Sequence, residues 1–258
     1  MKLAIIQFHT RENVPSNIKR MESLLLSIQA DCIVLPELWL CPYDNEQIQN
    51  AKSYAKQARE MLSHCAKMTH CWIIGGTLPY DDYNMCFIFN RDGEEVCHYA
   101  KSHLLEVHAN HTYYEADVFK PGNSFCTFET EFGKMGILVC YDIRFPEMAR
   151  ILAQSGIQVL FLPAAFNEQV GTCHWKPLLQ TRAMENEIFL VGVNPEYTYK
   201  KYQAYGHSII VDPFGTIVHE SVNEVEMADI DLDQIKKIRQ RMPFWSIRRT
   251  DLYEIKEK

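Results

Sequence analysis

Residues 134–146 read Lys134-Met135-Gly136-Ile137-Leu138-Val139-Cys140-Tyr141-Asp142-Ile143-Arg144-Phe145-Pro146. The run Ile137–Val139 is apolar without the polar alternation of a half-exposed strand, so it predicts a strand covered on both faces. Pro146 suits the first turn of a helix, where a missing N–H costs nothing. The stretch is therefore strand, turn, helix, with Cys140 at the turn. Outward from it, a strand is expected at 125–130, a helix at 146–155 that Gly156 stops, and another buried strand at 159–162. A helix at 174–187 and strands at 188–193, 206–211, 216–219 and 227–230 follow.

The first half has the same rhythm. Lys2 to Phe8 reads as a strand, Ser16 to Ala30 as an amphipathic helix, and Cys32 to Leu35 as a short buried strand that Pro36 ends. A second helix is predicted over 51–68 and a strand over 71–75. Two more strands, 84–90 and 95–100, are joined by the hairpin signal Arg91-Asp92-Gly93. The segment 102–122 has no clean period and reads as a long loop. Strand pairs interleaved with helix pairs suggest helices outside two packed sheets, an α/β arrangement. No linker or repeat divides the 258 residues, so a single domain over 1–258 is expected, with a tail from about Asp233.

Bulk properties exclude more than they assign. A net charge of −7 argues against nucleic acid or an anionic membrane as the main partner. The first apolar run is shorter than the ~7–15 residues of a secretory core, and no stretch reaches the ~20 of a membrane span. The nine cysteines include no C-x-x-C pair. Reduced thiols in a cytoplasm, most of them small core hydrophobes, are the expectation.

Chemistry is sought where buried strands hand over to loops. Cys140 is at such a junction, where backbone N–H groups can lower a thiol pKa and hold an oxyanion. A buried structural cysteine fits the same position. Two further junctions shift the balance: Pro36-Glu37-Leu38-Trp39 places a carboxylate among apolar neighbours, and Tyr99-Ala100-Lys101 places an ammonium at a strand end. Base, cation and thiol together suit acyl transfer.

These boxes resemble the nitrilase superfamily of carbon–nitrogen hydrolases. The resemblance rests on Leu35-Pro36-Glu37, on Tyr99 to Leu104 and on Cys140 to Glu147. It continues through His174-Trp175, Arg182 to Asn186, Tyr205 to Ser208, Val211 to Gly215 and Asp251-Leu252-Tyr253, nearly the whole chain in order. It implies a four-layer α-β-β-α sandwich with Glu37, Lys101 and Cys140 as catalytic triad. It also implies a second glutamate between lysine and cysteine. Glu115 is preferred by its spacing from Pro121-Gly122, with Glu106 competing. The backbone N–H of Tyr141 would help hold the oxyanion, no cofactor would be needed, and two subunits would pair through helices near the nucleophile.

Within the superfamily, 161–175 and 248–253 look most like omega-amidases, which hydrolyse monoamides of dicarboxylates such as 2-oxoglutaramate. A deaminated-glutathione amidase, a nitrilase, an N-carbamoyl hydrolase and an inactive scaffold of the same fold are the alternatives. A substrate carboxylate needs a cation, for which Arg144, Lys176, Arg182, Lys200 and Lys201 are candidates. Phe166 and Trp175 are candidate contacts. His103, His108, His111 and Glu115 could imitate a metal site, but no His-Glu-x-x-His helix motif is present, and no bound metal is expected.

Overall fold

The computed structural model describes residues 1–108 and 112–258. The first half runs β1 (Lys2–Ile6), α1 (Val14–Ser27), β2 (Cys32–Val34), α2 (Asn45–Ala51), α3 (Ala55–Thr69), β3 (Trp72–Ile74), β4 (Leu78–Tyr80), β5 (Tyr83–Phe89) and β6 (Glu95–Ala100). A small hairpin, β7 (Glu106–Val107) and β8 (Tyr113–Tyr114), comes next. The second half runs β9 (Cys126–Thr130), β10 (Gly133–Ile137), α4 (Pro146–Gln154), β11 (Val159–Pro163), α5 (Glu168–Asn186) and β12 (Phe189–Val193). The chain continues with β13 (Thr198–Tyr199), β14 (Tyr202–Gln203), β15 (Ile209–Val211), β16 (Ile217–Glu220), β17 (Val225–Asp229) and α6 (Asp233–Arg241).

Two sheets result. One has the order β17-β1-β2-β3-β5-β4 with β6 on the other side of β5, and the second has the order β16-β15-β12-β11-β10-β9. Each has a parallel centre, β1-β2-β3 and β10-β11-β12, with antiparallel flanks. Alternation along the strands decides what each face covers. Leu3, Ile5, Val34 and Ile74 point to the core shared with the second sheet. Ala4, Ile6, Ile33 and Ile73 pack instead with Met21 and Leu25 of α1 and Leu62 and Cys65 of α3. Ala149 and Leu152 of α4 and Trp175, Leu179 and Ala183 of α5 join the core of the second sheet. Helix, sheet, sheet, helix is the four-layer order. Gly192 on β12 permits the close approach of α5, since a Cβ there would lie 2.3 Å from Leu179 and 2.7 Å from Trp175.

The sheet directions align the chemistry. Strand β5 is antiparallel to β3, and β6 is antiparallel to β5, so β6 runs the same way as β2 and β3. The residues that follow β2 and β6 therefore leave the sheet at one edge. The Glu37 N–H donates to the Ala164 carbonyl (3.2 Å), joining that edge to the end of β11 in the other sheet.

Several sequence boundaries move. The helix expected at 51–68 is α3, which begins at Ala55 after a 3-10 turn at Lys52–Tyr54, and a further helix, α2, precedes that turn. Helix α5 begins not at His174 but at Glu168, because the Asn167 side chain caps the Val170 N–H (2.9 Å). His174 and Trp175 thus lie inside the helix. The segment read as a loop carries the β7–β8 hairpin and a 3-10 turn at Glu115–Asp117. The tail holds α6, whose Ile235 is buried in the core. No helix among the described residues is long and apolar enough to cross a membrane.

Candidate active site

Glu37 follows β2 in a tight turn. Its neighbour Leu38 has a positive φ of 48°, and Trp39 anchors the turn by donating from Nε1 to the Gly75 carbonyl (3.0 Å). Gly76, with φ 61°, has to be glycine: a Cβ would sit 2.1 Å from the Pro36 carbonyl oxygen. Lys101 follows β6 directly and is held by backbone bonds to Asn84 (3.0 Å) and from Gly122 (2.8 Å). Strand β10 ends at Ile137, so Cys140 comes three residues later, at the head of the 3-10 turn Cys140–Arg144. Its φ is 45°, a left-handed conformation that costs a non-glycine residue of order 1–3 kcal/mol. Such strain persists only where the surroundings enforce it, and here Asp142 does so.

Asp142 is fully buried and ties the Cys140 turn to the segment after Lys101. Its Oδ2 accepts from the Tyr99 hydroxyl (2.9 Å) and the Val139 N–H (3.1 Å), and its Oδ1 from the His103 N–H (2.8 Å). The His103 ring also meets Asp142 Oδ1 (2.9 Å) and stacks on Phe145. His103 is thereby committed to positioning, and His111 lies outside the described residues. Among the described residues no group of three His, Cys, Asp or Glu side chains is placed to hold a metal ion.

At the centre, the Lys101 ammonium donates to Glu37 Oε1 (2.8 Å) and to Glu115 Oε2 (2.7 Å), with all three side chains buried. Asn84 Nδ2 bridges the same carboxylates, at 2.8 Å from Glu37 Oε1 and 3.0 Å from Glu115 Oε1. The Leu105 N–H adds a bond to Glu115 Oε2 (2.7 Å). Glu115, not Glu106, is therefore the second carboxylate on the lysine. Glu106 pairs with His108 (2.6 Å) at the cavity wall.

The protonation states follow from burial. Burial raises the Glu37 pKa and Glu115 raises it further, while Lys101 opposes both. Burial works against the Lys101 charge, but Glu115 and Glu37 outweigh it and hold the ammonium well above its usual pKa. Burial pushes the Cys140 thiol well up, Glu37 adds to this, and Lys101 and the Ala165 N–H pull the other way. A neutral thiol thus faces a carboxylate of raised basicity. Glu37 Oε2 is buried and has no hydrogen-bond partner among the described residues. The Tyr141 N–H is among the first of its turn, a position without an intrahelical acceptor. If Glu37 is a base it must be ionised to act, and the acid limb of kcat/KM is then expected above the ordinary glutamate value of ~4.3. A pH profile with that limb at or below ~4.3 would contradict this assignment of the base.

A cavity of about 340 Å³ opens over Cys140 and Tyr141, bounded by Arg144, Phe166, Tyr202 and the 105–108 segment. The chain matches the Carbon-nitrogen hydrolase family over residues 2–240. It belongs to that family. This hydrolase is 35% identical to omega-amidase NIT2 of Bos taurus over 270 residues, covering 100% of this chain and 98% of that protein. It is 34% identical to omega-amidase NIT2 of Homo sapiens with the same coverage. In structure it resembles Saccharomyces cerevisiae Nit3, a member of branch 10 of the nitrilase superfamily, with a TM-score of 0.86 at 30% identity over 96% of each chain.

Five cations were candidates for a substrate carboxylate, and the hydrolase commits three of them elsewhere. Lys176 pairs with Glu220 (2.8 Å). Arg182 donates to the carbonyls of Ile143 (3.0 Å) and Arg144 (3.3 Å) and to Glu185 (3.1 Å), fastening the Cys140–Arg144 turn to α5. Lys200 pairs with Asp44 (3.0 Å), and Lys201 shares its exposed turn between β13 and β14. Trp175 is buried against Phe166, with Nε1 donating to the His207 carbonyl (2.7 Å), so it supports the wall from behind. Arg144 is different: it lines the cavity, lies over the rings of Tyr141 and Phe166, and contacts His174 Nδ1 (3.1 Å). Sequence reasoning gave no role to Asn84, Asp142, Tyr43, Tyr113 or Tyr202. Asp142 stood inside the quoted cysteine box, which was signal enough to ask what it holds. Asn84 and the tyrosines carry no local motif.

Proposed function

We propose that this chain is an omega-amidase-like hydrolase that releases ammonia from a small dicarboxylate monoamide through a thioester on Cys140. The observation that carries the reading is the buried array in which Lys101 lies between Glu37 and Glu115 beside a strained thiol. Glu37 takes the Cys140 proton as sulfur attacks the amide carbonyl. Lys101 and the Tyr141 N–H stabilise the oxyanion, a class of contact worth ~3–4 kcal/mol of barrier for each donor. Glu37 then protonates the departing ammonia and activates the water that releases the acid. Glu115 and Asn84 hold Lys101 in place. Tyr43 and Tyr113 stay protonated, because burial lifts both phenols and the nearby Glu115 carboxylate lifts them further.

Arg144 is the proposed holder of the distal carboxylate, and the full-length likeness to omega-amidases NIT2 supports that substrate class. Pairing of two copies belongs to the same reading. Met184 on α5 and Phe214 in the turn packed beside it are exposed apolar side chains suited to it. An ammonia-release panel tests the function: 2-oxoglutaramate and 2-oxosuccinamate should outrun glutamine, deaminated glutathione, a simple nitrile and an N-carbamoyl amino acid. In Arg144→Met, kcat/KM for 2-oxoglutaramate should fall by ~10–10²-fold, the worth of one charge-assisted contact, with little change for a neutral amide. Equal losses on both substrates would remove Arg144 from carboxylate recognition.

A further inference from the structure

Away from the catalytic thiol, two cysteines meet where the edges of the two sheets pack together. Cys97 is on β6 at the edge of the first sheet, and Cys126 is on β9 at the edge of the second. Their sulfurs are 2.9 Å apart. A disulfide bond of ~2.05 Å would need them to close by only ~1 Å. Cys97 is partly exposed, which gives a reagent access, while Cys126 is buried directly behind it. Of the other cysteines, Cys86 on β5 is fully buried near Cys126. Cys71 donates to the Ala30 carbonyl, Cys65 contacts the Met61 sulfur, and Cys173 is exposed on α5.

We infer that Cys97 and Cys126 are a modification site: a dithiol that a small-molecule disulfide converts into a bond between the two sheets. The Cys97 thiolate attacks one sulfur of the reagent, forming a mixed disulfide and expelling one thiol. Cys126 then loses its proton and attacks the Cys97 sulfur, expelling the second thiol. The two protons and two electrons lost by the cysteines end on the two reduced reagent thiols, so the exchange balances. The hydrogen bond with Cys126 and burial both push the Cys97 thiol up, which lowers its thiolate fraction and makes the pair slow to react until such a reagent is abundant. The ring that closes spans residues 97–126. It carries Lys101, Glu115 and the 105–108 wall of the cavity. The bond therefore fastens the arm that delivers the catalytic cation, and does so without touching the substrate.

The test uses the full chain with Cys140→Ala, so that the catalytic thiol cannot report. After incubation with glutathione disulfide, free thiols are alkylated and the protein is digested without reduction. One cross-linked pair joining the Cys97 and Cys126 peptides is expected, two hydrogens lighter than the reduced peptides together. A ring of this size should raise the thermal midpoint by roughly 5–10 °C, reversibly with dithiothreitol. Both effects should vanish in Cys97→Ser and in Cys126→Ala. Recovery of both cysteines alkylated, a stable glutathione adduct on Cys97 alone, or a bond from Cys126 to Cys86 would overturn the site. A bond that forms without moving the midpoint would overturn the fastening.

Discussion

Cys140→Ala is expected to lower ammonia release by about 10⁴-fold or more, some 5 kcal/mol of barrier or more, with the fold intact. The substitution removes the sulfur but keeps the backbone. The left-handed turn at φ 45° is enforced by Asp142, the Val139 N–H and Arg182, none of which touches the thiol for its own position. Thermal unfolding should therefore stay close to that of the parent. Cys140→Ser should fail as well, since a hydroxyl is a weaker nucleophile for a carboxylate base. Mass spectrometry of quenched reactions should find the acyl adduct on the Cys140 peptide of the parent and nowhere in the alanine variant. Ammonia release that survives in Cys140→Ala would end the nucleophile assignment.

Lys101→Met is expected to have two large effects at once. Activity should drop by at least about 10³-fold, because the ammonium is the only charged oxyanion donor in the proposed mechanism. Stability should also fall, by about 3–5 kcal/mol, because Glu37 and Glu115 would be left as two buried carboxylates without their cation. Combining Lys101→Met with Glu37→Gln removes one of those charges, so part of the lost stability should return while activity stays absent. A denaturation midpoint series over parent, single and double variants makes the comparison. Unchanged stability in Lys101→Met would mean that the buried ion cluster is not what holds this edge of the sheets together. Full recovery of activity in the double variant would mean that Lys101 serves the fold alone.

Much of this architecture follows from the sequence itself. The apolar runs at Ile33–Leu35, Ile137–Val139 and Val159–Leu162 have no polar alternation, and a strand of that kind is stable only between two covered faces. That requirement, with the interleaved helical periods, determines layered helices and sheets. Glu37, Lys101 and Cys140 can likewise be picked out as candidates, because each stands where a buried run ends beside a residue of fixed backbone preference or a turn. What local pattern cannot carry is the meeting of such junctions. Whether the residues after β2 and β6 emerge at one edge depends on β5 reversing the chain between them. Glu115 and Glu106 are alike in sequence, and only the path of the 102–122 segment brings one of them to the lysine. The five cations were alike too, until Glu220, Asp44 and the carbonyls of Ile143 and Arg144 claimed three of them. Asn84 has no motif because its value lies in spanning two carboxylates 47 and 31 residues away along the chain. Propensity and periodicity act over a few residues and settle which elements form. The ion pairs, the bridging amide and the paired thiols are contacts between distant segments, and only the packed tertiary structure sets those distances.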